Sequence, residues 1–560
     1  MGRSRFVVSF FLLAALVLCS VAPALAASFA PLNPAFVDFL AERDGQEVKG
    51  ASTAVPLGRT PSPVDLSHLA GLSYFEQEGR GRRAFPARFD LRDSGWVSPV
   101  RDQAPYGSCW TFSALASLES SALRAGLADP DYSEMHLSYF GYIDEAPSLP
   151  GFLNVAAGER DLQDLMGLGG DDFRAVALLA RGTGAADEDD APYGAIPSAS
   201  APPSRRLAQV YNFYYDSDSR YQPASVANIK AALTEYGALS AGVYAADPLG
   251  GLWEESPYFN AATSASFIPS GNVEGLSVGW ANHAVTLVGW NDGYRRENFN
   301  ALHRPAADGA WIVKNSWGLD WGDGGYFYLS YEDAVLDTGA AYVGREPRAG
   351  ERIYQHDPLG WTETYSPADS DTGWFANVFT ATARHKVDAV AFYAGGVGNE
   401  YDLYLYGHVT GAPLSGGLIA SQSGRLDLPG YHTVDLNAPV VIETGQNFSV
   451  VVRLRTPGYN FPVAVENRLA RYSDKASARA GESFVSANGT SWTDTTVIDP
   501  TANVCLKAFA TATTEEPTPV PAPDPDPDPD PDPSSGGGCS LGGPLSLILL
   551  VPLAWLGFRR

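Results

Sequence analysis

The sequence predicts an α+β chain in which a mixed helical and stranded domain precedes a C-terminal antiparallel β-sandwich. Three observations carry this expectation. A helical apolar pattern follows a Gly-Ser turn within residues 103–123; two apolar, β-branched runs begin at His283 and Trp311; and from about residue 354 to 511 short alternating segments separated by Gly, Asp, Asn and Pro replace any helical period. At 560 residues the chain exceeds one core, and its 45% apolar content supplies two.

A formal net charge of −26 argues against nucleic acid or an anionic membrane surface as partner and fits a secreted or surface protein. Residues 1–26 read as a signal peptide: Arg3 and Arg5 precede an apolar run over 6–18, and Ala24-Leu25-Ala26 offers a small-residue cleavage site. Residues 27–84 are polar, with scattered Pro and Gly and one amphipathic stretch around Phe36, Phe39 and Leu40. Standing ahead of the main domain, they are either a propeptide that blocks a cleft or an N-terminal spacer.

The stretch QAPYGSCWTFSALASLESSAL, residues 103–123, places Cys109 where the Tyr106-Gly107-Ser108 turn meets a helix marked by Ala114, Leu115, Leu118, Ala122 and Leu123. Unsatisfied N–H groups and aligned peptide dipoles at a helix start favour an anion, so a thiol there is expected to ionise below its free value of about 8.5. A structural thiol is the other reading of such a cysteine.

The run Q-x-x-x-G-S-C-W before a helix resembles the active-site segment of papain-like cysteine proteases, with Tyr106 standing where the family has a disulfide-forming Cys. The resemblance spans residues 85–345, beginning at FPARFDLRD, and implies a papain-like two-subdomain fold with a helical left part and a barrel-like right part. It makes Cys109 the nucleophile. Gln103, six residues earlier, becomes the amide that joins the Cys109 N–H in holding an oxyanion. Gly169 and Gly170, ahead of a helical run over 172–180, resemble the family's glycine wall, where bare backbone pairs with an extended substrate.

Residues 282–290, NHAVTLVGW, read as a buried strand with His283 at its entrance, and 311–318, WIVKNSWG, as a second strand ending in Asn315. A lone histidine is ordinarily a satisfied core residue, but the second segment resembles the family's N-S-W-G element. By that resemblance His283 exchanges the Cys109 proton in a thiolate–imidazolium pair, Asn315 holds the ring, and Trp317 shields that bond beside the substrate. His283 and Asn315 lie 174 and 206 residues after Cys109 (283 − 109 and 315 − 109), beyond the family's usual spacing of about 130 to 150. Insertions over 291–309 and between 193 and 242 account for this. The run over 325–331 is expected to be the last strand of this domain.

Residues 350–511 resemble the lectin-like domain that follows papain-like peptidases in some prokaryotic surface proteins. The expected strands are 387–393, 401–406, 431–436, 448–454 and 504–509, with exposed Trp361 or Trp374 as sugar-stacking candidates and Cys505 as a buried thiol. Residues 512–535 form an acidic Pro-rich linker that extends the chain like a stalk. In 536–560, small residues around Cys539, an apolar stretch and Arg559-Arg560 resemble Synergistes and myxobacterial sorting signals; a retained membrane anchor is the alternative.

Cys and His nowhere take metal-ligand spacing, so no metal site and no cofactor are expected. The function expected is an exported, surface-tethered cysteine endopeptidase acting on proteins or peptides through a thioester acyl-enzyme. Envelope attachment runs through the C-terminus, and the sandwich is a possible binder of cell-surface glycan. A glycan-binding adhesin with an inactive papain-like scaffold, and a transpeptidase with the same acyl-enzyme chemistry, are the alternatives.

Overall fold

Strand β1 (Ser28–Phe29) and helix α1 (Pro34–Asp44) belong to the leader, the segment ahead of residue 85. Asn33 starts α1 by accepting the Ala35 N–H on its side chain, 3.0 Å, and Pro34 opens the helix, where a missing N–H costs nothing. The structure, a computed structural model, describes residues 27–44, 57–75, 84–245, 252–270, 280–337 and 339–519. The expected signal peptide, most of the acidic linker and the C-terminal sorting signal lie outside them.

The protease-like part begins with β2 (Arg88–Asp90) and α2 (Cys109–Arg124), followed by α3 (Glu134–Tyr142) and α4 (Asp172–Ala180). Beyond these come β3 (Pro203–Phe213), α5 (Gln222–Tyr236), β4 (Leu239–Val243), β5 (His283–Asn291), β6 (Ala310–Lys314), β7 (Tyr326–Ser330) and β8 (Gly339–Arg345). The order across the sheet is β3-β8-β4-β5-β6-β7, with β2 on β5. The domain's last strand is therefore β8 rather than the expected 325–331: β8 inserts between β3 and β4 and joins them in one sheet.

Helix α2 is buried almost all round, so it acts as the central strut between the helical half and the sheet. Small serines let it approach the strands and fix its register. Ser113 Oγ donates to the Val285 carbonyl and Ser117 Oγ to the Ala238 carbonyl, each at 2.6 Å. Cys109 is thereby set against the start of β5, where His283 stands.

The second part is the expected sandwich: β9 (Glu351–Tyr354), β10 (Glu363–Ser366), β11 (Thr372–Thr380), β12 (His385–Ala394), β13 (Asn399–Gly407), β14 (Gly417–Leu426), β15 (Gly430–Ile442), β16 (Asn447–Arg455), β17 (Val463–Glu466), β18 (Ser483–Ser486) and β19 (Leu506–Ala512). One layer runs β9-β19-β12-β15 and the other β14-β13-β16-β11-β18. Their alternating apolar faces, including Val390, Phe392, Leu403, Leu405, Val450 and Val452, meet in a separate core. The first layer does not stop at the domain boundary: Gly430 to His432 of β15 pair with Tyr211 to Gln209 of β3, making one continuous sheet through both parts. Trp361, expected as an exposed sugar platform, is 2% exposed and packs on Phe173 and Tyr393 where the two parts meet. Cys505 is buried, as expected.

The leader touches both parts. β1 adds to β10, with Phe29 edge-on to Tyr365, and Phe36 packs on Tyr472. It then returns along the protease-like part, where residues 57–60 occupy the cleft.

Candidate active site

Cys109 is the first residue of α2, and its sulfur accepts the Ala284 N–H at 3.3 Å. His283, the preceding residue on β5, points Nε2 at Asn315 Oδ1, 2.7 Å away. Asn315 Oδ1 also accepts the Ser316 N–H, 2.8 Å, so two donors fix the amide with oxygen toward the ring. Nε2 therefore carries the proton, and Nδ1, buried and without a hydrogen-bond partner among the described residues, is left as the basic nitrogen. Trp317 stacks on the imidazole, 4.7 Å between centroids and 30° between planes, and with Trp253 and Trp321 keeps the bond dry.

Gln103 is fully buried beside this pair. Its backbone N–H donates to the Ser316 carbonyl, 2.8 Å, its Oε1 accepts from Ser316 Oγ, 2.7 Å, and its Nε2 donates to the Tyr106 carbonyl, 2.9 Å. Tyr193 adds a clamp that sequence reading missed. Its hydroxyl donates to the Gln103 carbonyl, 2.7 Å, and lies 2.6 Å from Ser108 Oγ. Its place in the Ala-Pro-Tyr-Gly turn was the only signal.

Gly169 and Gly170 form one wall. Gly169 adopts φ +73°, open to glycine, and a Cβ on Gly170 would lie 2.5 Å from the Trp110 indole. The wall is occupied by the leader: Gly170 N–H donates to the Gly58 carbonyl and Thr60 N–H to the Gly170 carbonyl, both 2.8 Å, a parallel bridge centred on Arg59. Arg59 N–H reaches the Asn282 carbonyl at 3.2 Å. Arg59 and its partners Asp172 and Asp337 were not singled out in the sequence, since nothing in their local spacing marks them.

Burial opposes the ionisation expected from the helix start. Burial pushes the Cys109 thiol up to about 11, outweighing the N–H groups of Ala284, Gly58 and Trp110 that favour the anion. Burial likewise pushes His283 down to about 4, against its bond to Asn315. Burial in this form thus favours a neutral thiol and a neutral imidazole over the thiolate and imidazolium that the resemblance implies.

The papain family cysteine protease model matches residues 85–139 and 161–342, and the lectin like domain model residues 353–510. The chain carries a papain-family cysteine protease domain followed by a lectin-like domain. Cysteine proteinase 1 of Zea mays is 30% identical over 274 residues, 49% of this chain and 64% of that protein. Falcipain-3 of Plasmodium falciparum is 28% identical over 261 residues, 44% of this chain and 41% of that one. The chain thus spans from about two-fifths to just under two-thirds of these relatives' lengths. Among solved structures, the cysteine protease and lectin-like domains of Cwp84, a surface layer associated protein of Clostridium difficile, superpose with a TM-score of 0.66 at 24% identity, over 87% of this chain and 98% of that one. Cwp84 C116A after propeptide cleavage gives 0.60 at 25% identity, over 76% and 99%. The papain-family domain therefore contains all four residues singled out for catalysis, and the lectin-like domain is joined to it edge to edge.

Proposed function

We propose that this chain is the latent precursor of an exported, surface-tethered cysteine endopeptidase. One observation carries the reading: Cys109 and the His283–Asn315 pair converge in a cleft whose glycine wall is already paired with residues 58–60 of the chain's own leader. Cleavage of the leader before residue 85, or its withdrawal, readmits water. The desolvation that holds both groups neutral then falls, and the helix start can stabilise the thiolate.

In the open cleft His283 Nδ1 takes the Cys109 proton, and the sulfur attacks the substrate carbonyl. The oxyanion is held by the Cys109 N–H and the Gln103 amide, and the imidazolium returns its proton to the leaving amine, giving a thioester. Water activated by the same nitrogen releases the acid. Asn315 keeps Nε2 protonated throughout, so Nδ1 is always the exchanging atom.

The acidic linker and C-terminal signal hold these domains at the cell envelope. In the lectin-like domain the half-buried Trp374, stacked at 5.9 Å on Tyr404, is the platform for a cell-surface glycan. Support for a surface setting comes from the Cwp84 likeness.

The test is labelling of the reduced full chain with an epoxide directed at papain-like thiolates, before and after leader cleavage. Mass spectrometry locates the adduct, and Cys109→Ala is the control. Labelling of Cys109 confined to the cleaved chain, with hydrolysis of unfolded protein, is the expected result. A cleaved chain whose Cys109 stays unlabelled makes the glycan-binding adhesin the better reading, and transfer to an added amine in place of hydrolysis makes it a transpeptidase.

A further inference from the structure

Arg59 faces Gly170, and its side chain leaves the paired backbone for a pocket containing two carboxylates. Nη1 donates to Asp172 Oδ2 at 2.9 Å, while Nε and Nη2 form a two-pronged pair with Asp337 Oδ2 and Oδ1 at 3.2 and 2.9 Å. The Arg59 side chain keeps only 8% of its exposure.

Both acids are held by the protease domain and not by the leader. Asp172 Oδ1 accepts from Ser240 Oγ at 2.6 Å and from the Tyr342 hydroxyl at 3.0 Å, and Asp337 Oδ1 accepts the Gly242 N–H at 3.0 Å. Gly242 also makes the room: a Cβ there would stand 2.3 Å from Arg59 Nε. The pocket adjoins a cavity of about 440 Å³ whose walls include Asp171, Asp172, Tyr214, Trp280 and Asp337. Asp171, 1% exposed, keeps Oδ2 buried there without a hydrogen-bond partner among the described residues.

Resting on the peptidase reading above, we infer that this pocket is the enzyme's specificity site and selects a cationic side chain, arginine before lysine, on the second residue before the scissile bond. The leader passes Cys109 at Gly58 and reaches Gly170 one residue later, parallel to the wall. A substrate running the opposite way meets Gly170 one residue before the scissile one and sends that side chain to the same wall. Leucine there leaves the buried Asp172 carboxylate, and Asp337 with 39% of its side chain exposed, without a cationic partner. Lysine, a point charge, meets the two acids less completely than the arginine fork does.

Two arms separate this subsite from the peptidase reading. The first is a double-mutant cycle in the full-length chain, Arg59→Leu against Asp337→Asn, with Arg59→Lys as the charge-preserving control. It is read as the rate of Cys109 alkylation at fixed pH and as the thermal midpoint, so no hydrolysis is needed. Arg59→Leu is expected to speed alkylation at least tenfold, but less than threefold when Asp337 is already Asn; effects that simply multiply overturn the inference. The second arm uses the cleaved chain on benzyloxycarbonyl-X-Arg-aminomethylcoumarin with X as Arg, Lys or Leu. kcat/KM for Arg is expected to exceed that for Leu at least tenfold, and Asp337→Asn to bring the ratio near one; equal rates or a preference for Leu overturn it. Coupling in the first arm with no hydrolysis in the second removes the peptidase reading and leaves the cation pocket standing.

Discussion

Gly58 passes so close to Gly107 that a Cβ on Gly58 would lie 1.8 Å from the Gly107 carbonyl oxygen. Only glycine fits where the leader crosses the turn before Cys109. Gly58→Ala should therefore lift residues 57–60 off the glycine wall without touching any catalytic group. Alkylation of Cys109 in the uncut chain is expected to rise at least tenfold, with a small loss of thermal stability. Equal rates for the two chains would show that the leader is not what guards the sulfur.

The buried pair makes latency dependent on pH. Cys109, pushed up to about 11, lies above the free thiol near 9.0, so burying it neutral favours the closed form below about pH 9 and that contribution is lost as pH rises through about 11. His283, pushed down to about 4 from 6.5, works oppositely: its contribution is full above about pH 6.5 and is lost as pH falls through about 4. Each is on the order of 3 kcal/mol at its limit. Arg59 lowers both values, so its withdrawal eases proton uptake by His283. Leader release, followed by protease sensitivity of residues 57–75, is expected to be slowest near pH 7 to 8 and faster at pH 4. A rate independent of pH between 4 and 8 would sink this account.

In the proposed mechanism Asn315 acts through the ring it holds at 2.7 Å. Asn315→Ala leaves the His283 Nε2–H buried with no acceptor, which costs about 1–3 kcal/mol of stability, and frees the imidazole to turn or change tautomer. Turnover should drop on the order of 10²-fold, mostly in kcat, since general acid–base transfer is worth about that much or more. Asn315→Gln should fail to restore it because the longer side chain cannot keep both the ring and the Ser316 N–H at 2.7 and 2.8 Å. Steady-state kinetics with a thermal melt for each variant decides whether the loss lies in positioning or in folding.

How much of this was legible in the sequence follows from where the information sits. Cys109, His283 and Asn315 each stand at the boundary of a helix or strand with a local pattern, and the fold brings those boundaries together. Alternation likewise marked five strands of the sandwich, β12, β13, β15, β16 and β19, and left its other six unmarked. The Arg59, Asp172 and Asp337 cluster was not, because three residues separated by 113 and 165 positions (172 − 59 and 337 − 172) meet only through tertiary packing. The direction of the Cys109 shift was missed for the same reason. A helix start is a local property, whereas desolvation depends on everything the fold packs around the sulfur. The strand β8 was passed over because its small residues, Gly339, Ala340 and Ala341, carry a weak strand signature and are fixed instead by the space between β3 and β4.

The edge-to-edge join of the two domains gives the last expectation. Gly430 takes φ +142°, a backbone that side-chain-bearing residues rarely adopt, and a Cβ there would lie 1.8 Å from the Val210 carbonyl oxygen on β3. β15 reaches β3 only because residue 430 is glycine, and the Gln209 amide adds a bond from Nε2 to the Thr433 carbonyl at 2.8 Å. Gly430→Ala should push the strands apart and cost about 1–3 kcal/mol, as overpacked sites do. Since β3 neighbours β8 and β8 lies against α2, the disturbance should also reach the cleft side of the papain-family domain. The expected result is a lower thermal midpoint together with faster Cys109 alkylation. A variant that melts lower while Cys109 stays as protected as before would show that the join supports the lectin-like domain alone.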